Sequence, residues 1–110
     1  MENYIDIFLE RAEILKNWRK YAVKIRAAAR SIFPDARVYA FGSIVRGKAV
    51  GGSDVDILIV SREMPKDNLG RARMRIRIEE LAELPPCHPF ELHLADVEEA
   101  GWYKGLEEIE

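Results

Sequence analysis

At 110 residues the chain has room for one folding unit with a modest core, and not for two. A hydrophobic share of 48% beside 33% charged residues describes a water-soluble globular protein, and no apolar run approaches the ~20 residues a membrane span needs. The formal net charge of −2 argues against a dedicated nucleic-acid coat or a membrane-surface protein, while the single cysteine, Cys87, cannot make an internal disulfide and points to a reducing cytoplasm.

From residue 3 to 32, apolar residues recur every three or four positions: Tyr4, Phe8, Leu15, Trp18, Ala22, Ile25, Ala29, Ile32. The spacing predicts one long amphipathic helix or two abutting ones, ended by Pro34. Ala36-Arg37-Val38-Tyr39-Ala40-Phe41 reads as a strand running into Gly42, after which Ser43 can cap a short helix over Ile44 to Lys48. Gly51-Gly52-Ser53 is a loop, and Val55 to Val60 is a second strand, apolar enough to be central. Leu69 to Leu84 predicts a helix with Leu69, Ala72, Ile76 and Leu81 toward the core and an arginine-rich outer side. Phe90-Glu91-Leu92-His93-Leu94 alternates as a third strand that buries its apolar members and turns Glu91 and His93 the other way. The expected class is a small mixed α/β, or α+β, sheet with helices mainly on one face. Its parts are a helical segment over 3–32, a core over 36–95 and an acidic tail over 96–110, forming one domain over 1–110.

The informative stretch is Gly42 to Asp56. Asp54 and Asp56 lie two apart at the start of a strand, so both carboxylates point to one side. Two like charges that close repel unless a cation sits between them. If the second and third strands are neighbours, Glu91 joins them as a third ligand that can also take a proton from an incoming hydroxyl. Mg²⁺ suits such an oxygen set, and a pair of ions can stabilise both the attacking and the leaving oxygen of an in-line displacement. Gly42 allows close backbone approach, the first N–H groups of the following turn form an anion cradle, the Ser43 hydroxyl can bond a phosphate oxygen, and Arg46 supplies a planar cation. A triphosphate on one side and metals on the other make a site for nucleotidyl transfer.

The pattern Gly42-Ser43-x-x-Arg46-Gly47-x-Ala49-x-x-x-Ser53-Asp54-x-Asp56 resembles the signature of the minimal nucleotidyltransferases, the smallest members of the DNA-polymerase-beta-like nucleotidyltransferase superfamily. The resemblance covers about 36–94 and implies that superfamily's fold. It also implies a metal-dependent transferase with ATP as substrate, Asp54, Asp56 and Glu91 as catalytic and metal-binding residues, and Gly42, Ser43, Arg46 and Ser53 on the nucleotide. It further implies a partner: an all-helical HEPN-domain toxin, which the transferase, as antitoxin, modifies with AMP on a tyrosine. Glu91 departs from the pattern, because aspartate is common at that place in the superfamily.

Blander readings accompany these. Asp54 can cap a turn, and Ser53 reads more naturally as a turn residue bonding the backbone near Asp54. His93 reads as a surface or substrate-side residue, since oxygen ligands suit Mg²⁺ better than imidazole. The Arg71, Arg73, Arg75, Arg77 series reads as a solvated helix face, while Trp102 and Tyr103 are candidates for a partner surface. The alternatives to catalysis are a binding module that neutralises its partner by covering it, and nucleic-acid binding through the first helix. The oligomeric state, homo- or hetero-, stays open.

Overall fold

The computed structural model describes residues 3–49 and 54–110. The helical segment divides in two: α1 spans Tyr4–Lys16 and α2 spans Trp18–Ile32. Asn17 makes the break. Its backbone leaves helical geometry (φ −108°, ψ 28°), and its side-chain amide donates to the Glu13 carbonyl, so it competes with the helical ladder. In α2 the residues Trp18, Ala22, Ile25 and Ala29 form one buried stripe at helical spacing. In α1 only Ile14 is buried, whereas Tyr4 and Phe8, read as members of the apolar stripe, are exposed.

Four strands follow: β1 Arg37–Phe41, β2 Val55–Val60, β3 Phe90–Ala95 and β4 Glu107–Glu108. They form one sheet in the order β3-β2-β1-β4, with β1 antiparallel to both neighbours and β2 parallel to β3. The parallel pair is bridged by α3, Asn68–Leu81, capped by the Asp67 side chain on the Gly70 N–H. The fourth strand is new relative to the sequence reading. Within the acidic segment 96–110, Val97–Ala100 forms a short helix α4 closed by a reciprocal Asp96–Glu99 capping box, and Ile109 is buried in the main core with its N–H on the Val38 carbonyl.

Strand alternation fixes what each face of the sheet carries. Val38, Ala40, Val55, Ile57, Ile59, Phe90, Leu92 and Leu94 pack with the buried residues of α2 and α3. Leu58, Val60 and Ala95 point the other way and are covered by Tyr39, Phe41, Ala100, Tyr103 and Leu106. Apart from Asp56, β2 is therefore buried along its whole length, which explains its unbroken apolar run.

The core face of α3 differs from the expected one. Met74, Ile78 and Ala82, spaced by four, meet the core, while Leu69, Ile76 and Leu81 are exposed and Ala72 is only partly covered. The reason lies in the arginines. Arg71 and Arg75, also four apart, turn toward β3: Arg71 donates to the Pro65 and Leu94 carbonyls and to both oxygens of Glu99, and Arg75 Nε donates to the Leu92 carbonyl at 3.0 Å. These guanidiniums satisfy carbonyls on the outer edge of β3, which would otherwise be open to another strand. The paired guanidinium also holds the Glu99 carboxyl below the usual carboxylate range. We expect Ile78→Ala to cost about 2–5 kcal/mol in urea unfolding, because it empties a fully buried site. Leu69→Ala, at a position 61% exposed, should change stability by no more than about 0.5 kcal/mol.

Candidate active site

The sheet face opposite α2 and α3 is covered at one end only. Its other end, where β1 finishes and β2 and β3 begin, carries polar side chains. Asp56 stands directly opposite Glu91 in the parallel β2–β3 register and opposite Phe41 in the antiparallel β1–β2 register. One strand pairing thus brings two of the three expected carboxylates together.

A third donor joins them, and it is not Asp54. His93, two residues beyond Glu91 on the same face, places Nε2 3.2 Å from Asp56 Oδ1 and 3.8 Å from Glu91 Oε1. Among the described residues, Asp56, Glu91 and His93 offer one ligand atom each, all within 4.8 Å of one another. The ring is flanked by aromatic contacts: Phe41 lies 5.1 Å from it and Tyr103 6.0 Å, with Phe41 and Tyr103 themselves 5.3 Å apart. His93, read from the sequence as a surface or substrate-side residue, lies within the cluster, with 28% of its side chain exposed.

Asp54 precedes β2, and its carboxylate is paired with Arg11. Its Oδ1 accepts from Arg11 Nη2 at 2.7 Å, and its side chain is 58% exposed. Arg11 Nη1 also donates to the Cys87 and His88 carbonyls, so α1 is tied to both the approach to β2 and the approach to β3. The convergence of Asp54 with Asp56 expected from i, i+2 strand spacing is absent here, because Asp54 lies outside the strand and has a closer cation.

The Gly42-Ser43 turn lies against the same carboxylates. Gly42 has φ +81°, a left-handed conformation that favours glycine, and a Cβ built there would stand 2.7 Å from Asp56 Oδ2. Gly42–Ile44 forms one 3₁₀ turn, followed by a further turn over 45–47. The helix expected over Ile44 to Lys48 is thus shortened, and Ser43 lies inside the turn rather than capping it: the cap position is Phe41 and carries no side-chain cap bond. The Val45 and Arg46 N–H groups both donate to the Gly42 carbonyl, which places Arg46 in the turn that follows. Ser53 lies outside the described residues.

An open groove of about 820 Å³ runs from this cluster around the edge strand to α3. Asp54, Glu91 and His93 line it, together with Arg75, His88 and Tyr103. Arg11, His93 and Tyr103 are the site neighbours that sequence reasoning did not assign to it. For His93 the signal was available in its position two residues from Glu91; for Arg11 and Tyr103, far away in sequence, there was none.

Comparison with known proteins identifies the family. Residues 22–98 match the model of the nucleotidyltransferase domain. A stretch of 61 residues is 41% identical to the probable protein adenylyltransferase MntA of Haemophilus influenzae, covering 56% of this chain and 52% of that protein. The chain therefore spans about half the length of that relative. A crystal structure of a candidate nucleotidyltransferase from Sulfolobus solfataricus superimposes with a TM-score of 0.65 at 28% identity, over 87% of this chain and 82% of the other.

Proposed function

Given that the chain belongs to the nucleotidyltransferase domain family and is a nucleotidyltransferase, we propose that it transfers AMP from ATP to a hydroxyl of a partner protein, in a reaction dependent on a divalent cation. The observation that carries the reading is the register pairing of Asp56 with Glu91 at an open sheet end, against a glycine turn. The donor chemistry fits a divalent ion: two carboxylates and an imidazole lie within 4.8 Å, and the missing Cβ of Gly42 leaves room for the Asp56 carboxylate. Asp56 and Glu91 would hold the ion, with Asp54 joining by exchanging Arg11 for it. When bound, the cation neutralises charge on the triphosphate and on the attacking and leaving oxygens.

The protein's own groups do the rest. N–H groups at the start of the Gly42–Ile44 turn have no partner within the turn and suit phosphate oxygens; Ser43 and Arg46 add a hydroxyl and a guanidinium. The acceptor oxygen attacks the α-phosphorus, the bond from that phosphorus to the β-phosphate oxygen breaks, and pyrophosphate leaves. The hydroxyl proton passes to a carboxylate, for which Glu91, lining the groove with 58% of its side chain exposed, is best placed. The name of the Haemophilus relative, a probable protein adenylyltransferase, supports a protein acceptor. Exposed Trp102, and Tyr4, Ile5, Phe8 and Leu9 on α1, support one delivered by a partner, and an HEPN-type toxin is the partner the sequence pattern implies.

The test is incubation of the chain with ATP labelled at the α-phosphate, a divalent cation and the protein encoded beside it. Label should appear on the neighbour, and no label should be transferred from the γ-position. Absence of α-label from every protein in the mixture would overturn the reading.

A further inference from the structure

We propose that His93 is a metal ligand, and that the ion held by Asp56, Glu91 and His93 is a first-row transition ion such as Mn²⁺ in preference to Mg²⁺. This rests on the nucleotidyl-transfer reading above and specifies its metal.

The argument begins with distances. An octahedral ion with ligand bonds of about 2.1 Å separates adjacent donors by about 3 Å and opposite donors by about 4.2 Å. His93 Nε2 stands 3.2 Å from Asp56 Oδ1 and 3.8 Å from Glu91 Oε1, so small movements of two partly exposed side chains bring all three onto adjacent corners. Asp54 Oδ1 does not belong to this group and is bonded to Arg11. In the structure as it stands, the Nε2–H donates to the Asp56 carboxylate; with an ion bound, the metal takes the place of that proton and the nitrogen lone pair becomes the ligand.

Orientation is the second point. Phe41 and Tyr103 both pack on the imidazole. A ring free to turn away on the surface would be a weak ligand; this one is held by two ring contacts beside the carboxylates. Chemistry is the third. Mg²⁺ binds hard oxygen ligands and keeps its water, whereas imidazole raises affinity for transition ions. One nitrogen among carboxylates therefore biases selection, while the remaining positions stay open to water and phosphate.

The experiment equilibrates the purified chain with Mn²⁺ and records pulsed electron paramagnetic resonance. Wild type should show modulation from a directly coordinated imidazole nitrogen. His93→Ala and His93→Gln should lose it, the second keeping a side chain of similar reach with an oxygen donor. Both should also hold Mn²⁺ against Mg²⁺ at least about tenfold less well. The other histidine, His88, whose Nδ1 accepts from the Phe90 N–H, is a built-in control because neither variant removes it. Bound Mn²⁺ without nitrogen coupling in wild type, with unchanged competition by Mg²⁺ in the variants, would overturn the proposal and leave the carboxylate site standing. Failure of wild type to bind Mn²⁺, or binding that Asp56→Asn leaves intact, would overturn the proposal and the metal-dependent transfer reading together.

Discussion

Asp56→Asn is expected to lower the rate of AMP transfer by more than about 100-fold while leaving the protein at least as stable as wild type. Loss of a group that merely supports a metal ligand costs about 10–100-fold, and Asp56 is placed as a ligand itself. Its carboxylate touches His93, opposes Glu91 and lies against Gly42, so it joins three other components of the site. Stability should move the other way. Asparagine preserves the shape and keeps an oxygen able to accept from His93, and it removes one of two like charges held opposite each other on adjacent strands. Initial rates with labelled ATP, set beside the urea midpoint of the same preparation, check both halves. A rate within about fivefold of wild type would remove Asp56 from the reaction centre. A variant that loses transfer but still neutralises its partner would instead favour the binding-module reading for the biological role.

The strands were legible because they obey simple rules. Apart from Asp56, Val55 to Val60 is apolar on both faces and buried, and the alternation of Phe90 to Leu94 put Glu91 on the face opposite the core. Since Asp56 and Glu91 belong to these strands, the core of the site could be anticipated once they were taken as neighbours. Most of the differences have another cause: a contact between distant parts of the chain. Asp54 is turned by Arg11, 43 residues earlier. The α3 core stripe is displaced because Arg71 and Arg75 take the positions facing β3 and bond its carbonyls, an arrangement hidden from a pattern that assigns every arginine to solvent. From sequence His93 reads as a surface or substrate-side residue because oxygen ligands suit Mg²⁺ better than imidazole; the structure sets its ring within 4.8 Å of the Asp56 and Glu91 oxygens. Strand β4 is two residues long and its sequence is Glu107-Glu108, too short and too charged for any periodicity; Arg19 and Arg37 pair with these glutamates and make a charged edge strand tolerable.

Gly42→Ala should damage activity far more than stability, and a second glycine supplies the comparison. Two separate effects follow from adding a methyl group at Gly42. The backbone has φ +81°, so any L-residue there bears about 1–2 kcal/mol of conformational strain. The new Cβ would also meet Asp56 Oδ2 at 2.7 Å, closer than real contacts allow, and the carboxylate is the side that can move. Gly105, between α4 and β4, has φ +66°, and a Cβ added to it would meet nothing within 4 Å, so Gly105→Ala carries the backbone strain without the collision. Both variants should therefore lose about 1–2 kcal/mol in urea unfolding, which is the shared term. Only Gly42→Ala should also lose about 100-fold or more in AMP transfer, because displacement of a positioned group by about 1 Å costs that much. It should weaken Mn²⁺ binding as well, since the group displaced is a proposed ligand. Equal activities in the two variants, at equal stabilities, would show that the glycine turn serves the fold and not the carboxylate beside it. A selective loss at Gly42 would instead tie the turn to Asp56 as one working unit, in which the absence of a side chain on β1's exit makes space for the charge on β2.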